Sequence, residues 1–159
     1  MFDAQSPSLL ETPLALPSGQ IIRNRIAKVA MEENLADGTH LPGAQLRQLY
    51  RTWGAGGAGL IITGNVMVAA DAVTGPGGVV LDAQQPVAPF REWAEAGKAE
   101  GAWMWMQISH PGRQVFVATH ATAIAPSAAR VDMGKHSSLF FEPRAIPRQI
   151  SERSSTSSP

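Results

Sequence analysis

The chain has 159 residues with 15 Gly, 12 Pro, no Cys, and 13 basic residues against 13 acidic ones. A chain of this length makes one domain with a real core, and 44% hydrophobic with 16% charged residues is a globular composition, neither disordered nor fibrous. Zero formal charge argues against a nucleic-acid partner, and the lack of Cys removes disulfides, thiolate metal sites and a cysteine nucleophile.

Met1-Phe2-Asp3-Ala4-Gln5 lacks the basic-then-apolar order of a signal peptide. The longest apolar run, around Leu60–Ala70, is broken by Thr63, Gly64 and Asn65, short of the ~20 residues that cross a bilayer. A soluble cytoplasmic protein is the expectation. Leu14-Ala15-Leu16 and Gln20-Ile21-Ile22 flank Pro17-Ser18-Gly19 as a small β-hairpin. Ile26 to Ala30 reads as a short strand, and Asn34 to Gly43 as a polar loop. Leu46, Leu49, Tyr50 and Trp53 share one face of a helix, which the glycines between Gly54 and Gly59 stop. Leu60-Ile61-Ile62 follows as a buried strand, and Gly75-Pro76-Gly77-Gly78 leads on to Val79-Val80-Leu81. Val87, Phe90, Trp93 and Ala94 mark a second helix, with Pro86 near its start. Trp103-Met104-Trp105-Met106 is a third strand, apolar on both faces and read as core; from Ser109 onward the chain looks irregular. Strands alternating with helices imply a parallel sheet, either doubly wound or part of a (β/α) barrel, and the pattern does not choose.

Parallel α/β folds bind ligands at the carboxyl ends of their strands. By this reading the first strand ends in Met31-Glu32-Glu33, the second in Thr63-Gly64-Asn65, and the third in Gln107-Ile108-Ser109-His110. A Gln amide offers a donor beside an acceptor, which complements a ring edge carrying C=O next to N–H. Ala30 and Gly64 would let a flat ring lie against backbone. Ordinary polar βα loops would show the same residues.

Asn24-Arg25-Ile26, Ala30-Met31, Ala36-Asp37-Gly38, the Tyr50 helix, Gly59-Leu60-Ile61-Ile62-Thr63-Gly64 and Gln107-x-x-His110-Pro111-Gly112-Arg113-Gln114 occur in that order. Together they resemble the amino-terminal half of the old yellow enzyme family, the NADH:flavin oxidoreductases. The resemblance implies an α/β fold: a partial TIM (β/α)8 barrel, about its first three strands with two helices, whose bottom the hairpin closes. Residues 8–150 would be the amino-terminal part of this FMN-binding barrel. Ala30 and Met31 match positions whose backbone lies against the flavin ring. Glu32 matches the position whose amide addresses the reactive ring nitrogen. Asn65 falls where the family usually has a small residue facing the pyrimidine part of the ring, and Gln107 matches the glutamine that hydrogen-bonds the pyrimidine edge. Glu32 departs from the family's usual residue, and a carboxylate near a flavin disfavours the anionic reduced form unless it points to solvent.

The implied activity is hydride transfer from NAD(P)H through FMN to an activated alkene, a small-molecule substrate. The family's substrate-binding His pair, its flavin arginine and its phosphate-holding glycine loops match nothing in this chain. No catalytic residue is therefore assigned, and an inactive fragment is expected. The alternative is a non-catalytic half-barrel that acts only by assembling with a complementary chain or with itself. Ser151 to Pro159 carries six Ser or Thr in nine residues where the family has an apolar-acidic helix, so a frameshift or truncation is expected there.

Gly54-x-Gly56-x-x-Gly59 spells a dinucleotide fingerprint, but helix, glycines, strand is the reverse of the order a phosphate site needs. His40, His110, His120 and His136 lack metal-ligand spacing, so no metal site is expected. His110 stands at a strand end, where a substrate role and a loop role are both open. With so few strands, Trp103, Met104, Trp105 and Ile61 would each keep a face without a partner.

Overall fold

The structure, a computed structural model, describes residues 8–119 and 121–147. Leu14–Ala15 (β1) and Ile21–Ile22 (β2) pair antiparallel, Leu14 opposite Ile22, around a turn in which Gly19 adopts φ +83°. Arg23 and Asn24, just past the hairpin, donate side-chain hydrogen bonds to the carbonyls of Ala58 (3.0 Å) and Gly57 (2.7 Å). The Trp103 indole donates to the Ile21 carbonyl at 3.0 Å. The hairpin therefore lies across the amino ends of the strands that start at Leu60 and Trp103, the end it was expected to close.

Ala27–Lys28 (β3) is shorter than the Ile26–Ala30 strand read from the sequence, and Ile26 and Val29 stay exposed. The helix Ala44–Ala55 (α1) buries Leu46 and Tyr50 and stops at Gly56 and Gly57, the latter at φ +90°, so its glycines end a helix as their order required. Leu60–Met67 (β4) is the central strand. Val79–Val80 (β5) was read only as a continuation but forms a strand, parallel to β4 with Val79 opposite Val66. Ala88–Lys98 (α2) buries Phe90 and Trp93. Trp103–Ser109 (β6) runs parallel to β4 along its whole length, from Leu60 opposite Trp103 to Met67 opposite Ser109. Because β6 occupies one edge of β4, β3 and β5 share the other, β3 at its amino end and β5 at its carboxyl end.

Helices α1 and α2 pack on one face of this sheet. Leu46, Tyr50, Ile61, Val66, Phe90, Trp93 and Ala102 form the core, with Met104 packed against it. The expectation that Ile61 would lack a partner is wrong: it points at the helices and is fully buried. The reading of the third strand as core is also corrected. Trp105 is 41% and Ile108 67% exposed, and Met106 is exposed as well. No described element covers either their part of the sheet or the outer edge of β6, which pairs only with β4.

The stretch after Ser109 is more ordered than its composition suggests. Ile124–Ala125 (β7) and Arg144–Ala145 (β8) pair in parallel, and Phe116 stacks on Phe140 with ring centroids 4.7 Å apart. The tail expectation for 151–159 lies outside the described residues.

Candidate functional site

The second strand does not end at Ile62. It runs through Thr63-Gly64-Asn65 to Met67, so Asn65 is a strand residue and not a loop residue. Regular alternation would put Asn65 on the same face as Ile61. Between Ile62, opposite Trp105, and Asn65, opposite Gln107, the ladder shifts register, and Thr63-Gly64 face the single residue Met106. This bulge inverts the phase of the strand. Val66 joins Ile61 in the helix-side core, and Asn65 turns to the opposite face, beside Gln107.

The amides of these two residues meet, Gln107 Nε2 donating to Asn65 Oδ1. A Gln or Asn amide has two N–H donors and a carbonyl. With that bond made, a donor (Asn65 Nδ2) and an acceptor (Gln107 Oε1) are left over, and neither makes a further hydrogen bond among the described residues. Both residues are half-buried.

Beyond Lys28 the chain leaves the ladder but keeps its course beside β4. A side chain at Gly64 would drive into the Met31 carbonyl and the Glu33 carboxylate, so only glycine lets this segment lie so close. Ala30, Met31 and Glu32 thereby join Gly64, Asn65 and Gln107 in one row across three neighbouring segments. Ala30 is half-buried; Met31 and Glu32 are exposed. The Glu32 carboxylate accepts the Thr74 hydroxyl from the loop between β4 and β5, so it is not simply free in solvent.

A polar network that the sequence reading did not assign holds this row from beneath. Lys28 Nζ donates to Glu33 Oε1 and to the Ile62 carbonyl, each at 3.0 Å, with the two side chains only 12% and 8% exposed. The Tyr50 hydroxyl donates to the same Glu33 oxygen at 2.7 Å and accepts the Gly64 N–H at 3.2 Å. The Lys28 ammonium also sits 4.2 Å from the Trp53 ring centroid. Burial first, and then the Glu33 carboxylate, raises the Tyr50 hydroxyl far above the ordinary value of 10.0, so it remains a donor. Tyr50 had been counted only among the apolar residues of its helix. The available signal was chemical: a Tyr on a buried helix face and a Lys in an apolar strand must each find a polar partner.

His110 Nδ1 accepts the Gly112 N–H at 3.0 Å, a loop contact in an exposed residue. A cavity of about 510 Å³ is lined by Pro111, Arg113, Gln114, Pro126 and Ser127, with no residue of the amide row in its wall. Among the described residues no group of three His, Asp or Glu is placed to hold a metal ion, and no helix is long and apolar enough to cross a membrane.

The sequence model of the NADH:flavin oxidoreductase / NADH oxidase family matches residues 10–154. The chain is 34% identical over 131 residues to the NADH-dependent flavin oxidoreductase iliE of Neonectria sp. (strain DH2), covering 77% of this chain and 17% of that protein. It is 31% identical over 155 residues to NADH-dependent flavin oxidoreductase nadA of Aspergillus parasiticus, covering 89% of this chain and 35% of that one. Both relatives are thus much longer, and the chain spans about a third of their length or less. In structure it superposes on the old yellow enzyme homologue from Zymomonas mobilis with a TM-score of 0.77 at 21% identity, over 92% of this chain and 42% of that one. It superposes on morphinone reductase with a TM-score of 0.72 at 24% identity, over 88% of this chain and 40% of that one.

Proposed function

Because the chain belongs to the NADH:flavin oxidoreductase / NADH oxidase family, we propose that its strand-end row takes the ring of FMN, within the amino-terminal part of a (β/α)8 barrel formed by residues 8–150. The observation that carries this reading is the Asn65–Gln107 pair. The bond between the two amides leaves one donor, Asn65 Nδ2, and one acceptor, Gln107 Oε1, unused, and the pyrimidine edge of a flavin presents C=O next to N–H. Gly64 gives the flat approach that a ring requires, and the Ala30–Met31 backbone forms the wall beside it. Glu32 would offer its backbone amide to the reactive nitrogen, while Thr74 holds its carboxylate.

Bound FMN would supply a hydride relay from NAD(P)H to an activated alkene. The residues named here bind and orient the ring; none is assigned a proton or hydride step. Gln107 and Asn65 fix the ring's rotation, since only one edge matches their donor and acceptor. The buried Lys28–Glu33–Tyr50 network keeps the wall from moving away from that edge.

Titration of the chain with FMN, followed by flavin fluorescence and visible absorption, tests the reading. Saturable binding is expected, and Gln107→Leu should weaken it about tenfold, the loss of one to two hydrogen bonds. No binding by the parent chain, or equal binding by Gln107→Leu and Asn65→Ala, would overturn it.

A further inference from the structure

The bulge in β4 is where the site's geometry is decided, and it does not stand unaided. At a bulge the extra residue falls out of the ladder, and a buried N–H or C=O left without a partner is destabilising. Here side-chain hydroxyls supply the missing bonds. The Tyr50 oxygen accepts the Gly64 N–H at 3.2 Å, and its own O–H donates to Glu33 at 2.7 Å. The Thr63 O–H donates to the Gly64 carbonyl at 2.8 Å, and its oxygen accepts the Gln107 N–H at 2.9 Å. Two short chains of hydrogen bonds thus meet at the Gly64 backbone, one reaching its N–H from the Glu33 carboxylate and the other joining its carbonyl to the Gln107 N–H. Tyr50 and Thr63 are both fully buried and take no place in the row itself.

We propose that Tyr50 and Thr63 are positioning residues: they lock the Thr63-Gly64 bulge, and the bulge turns Asn65 off the helix side to meet Gln107. The cofactor role of this device rests on the FMN reading above. A strand that lost the bulge would return to regular alternation, which moves its side chains to the other face. Asn65 would then point toward the core that Val66 now fills, and the donor–acceptor pair would be lost.

The experiment compares Thr63→Val, which keeps shape and removes the hydroxyl, with Thr63→Ser, which keeps the hydroxyl. Tyr50→Phe provides a second test that keeps the ring packing, and it decides the matter if Thr63→Val does not fold. Phe90→Leu is the control, a change in the same core that removes none of the hydrogen bonds at the bulge. The first measurement is the side-chain amide NMR resonances of Asn65 and Gln107 in the ligand-free chain. Thr63→Val and Tyr50→Phe should move them toward free-amide positions, Thr63→Ser should restore them, and Phe90→Leu should leave them in place while lowering the melting temperature. The second is FMN affinity, expected to fall about tenfold in Thr63→Val and to recover in Thr63→Ser. Unchanged amide resonances in both Thr63→Val and Tyr50→Phe, or no recovery in Thr63→Ser, would overturn the proposal. Failure of the parent chain to bind FMN would overturn the cofactor reading alone, because the ligand-free resonances still decide the positioning claim.

Discussion

Glu33 is the residue on which the polar interior turns. One of its oxygens takes both the Lys28 ammonium and the Tyr50 hydroxyl, at 3.0 and 2.7 Å. Buried ion pairs gain little net stability, because desolvation offsets the attraction, yet removing one partner strands a charge and is costly. Tyr50 adds a pH dependence of definite sign. Its hydroxyl is held above 10.0 by burial and by Glu33, whereas in the unfolded chain it ionises near that value. Above about pH 10 the folded state therefore keeps a proton that the unfolded state releases, and stability falls as pH rises, by at most about 1.4 kcal/mol per pH unit from this group. Denaturant midpoints measured from about pH 9 to 11 should decline more steeply in the parent chain than in Tyr50→Phe. Tyr50 is the chain's one tyrosine, so the difference between the two slopes reports this group directly. Parallel slopes would show that Tyr50 is not held protonated.

Helix against helix, the tightest contact is made by residues without side chains. A Cβ on Gly54 of α1 would lie 2.7 Å from the Gly97 carbonyl of α2, and one on Gly97 would press on the Met104 sulfur at 2.6 Å. The two helices and β6 are stacked at the spacing that glycine permits. Gly54→Ala should force the helices apart and cost about 1–3 kcal/mol, as overpacking does. Gly38→Ala has nothing within 4 Å of the new methyl and no left-handed backbone to strain, so it should be neutral or slightly stabilising. Thermal melts of the two variants make the comparison, and an equal loss in both would contradict the packing account. The periodicity of Leu46, Tyr50 and Trp53 was sufficient to place α1, but the close crossing at Gly54 was hidden, since glycines after a helical run read first as a stop.

Across the whole molecule, apolar burial runs out at β6, on both faces of the sheet. The helices close over Ile61, Val66 and Trp93 but not over Ile108, which stands opposite Val66, and Trp105 and Met106 are exposed as well, along a strand edge without a described neighbour. Unpaired edge groups beside exposed apolar side chains recruit partners or aggregate. The chain should bind the dye ANS and sediment as concentration-dependent oligomers, and Ile108→Lys should reduce both without lowering stability, because Ile108 is 67% exposed. A dye-silent monomer with a sharp melt would show that this strand is covered after all.

Composition, periodicity and glycine order were enough to determine an α/β chain with parallel strands, the hairpin and the helix stop at the glycines, whereas the proposed set Ala30, Met31, Glu32, Asn65 and Gln107 came from the family resemblance. The former are local properties: apolar spacing sets the elements, and glycine order sets the turns. The tertiary structure alone decided which way Asn65 points. A bulge is one residue of mismatch between two strands, and neither strand records it. The same holds for Lys28, Glu33, Tyr50 and Thr63, spread over 36 positions of sequence and joined only when β3, α1 and β4 pack together. Their hydrogen bonds form because burial removes water from each of them at once, and no stretch of sequence shows which partners will then be within reach.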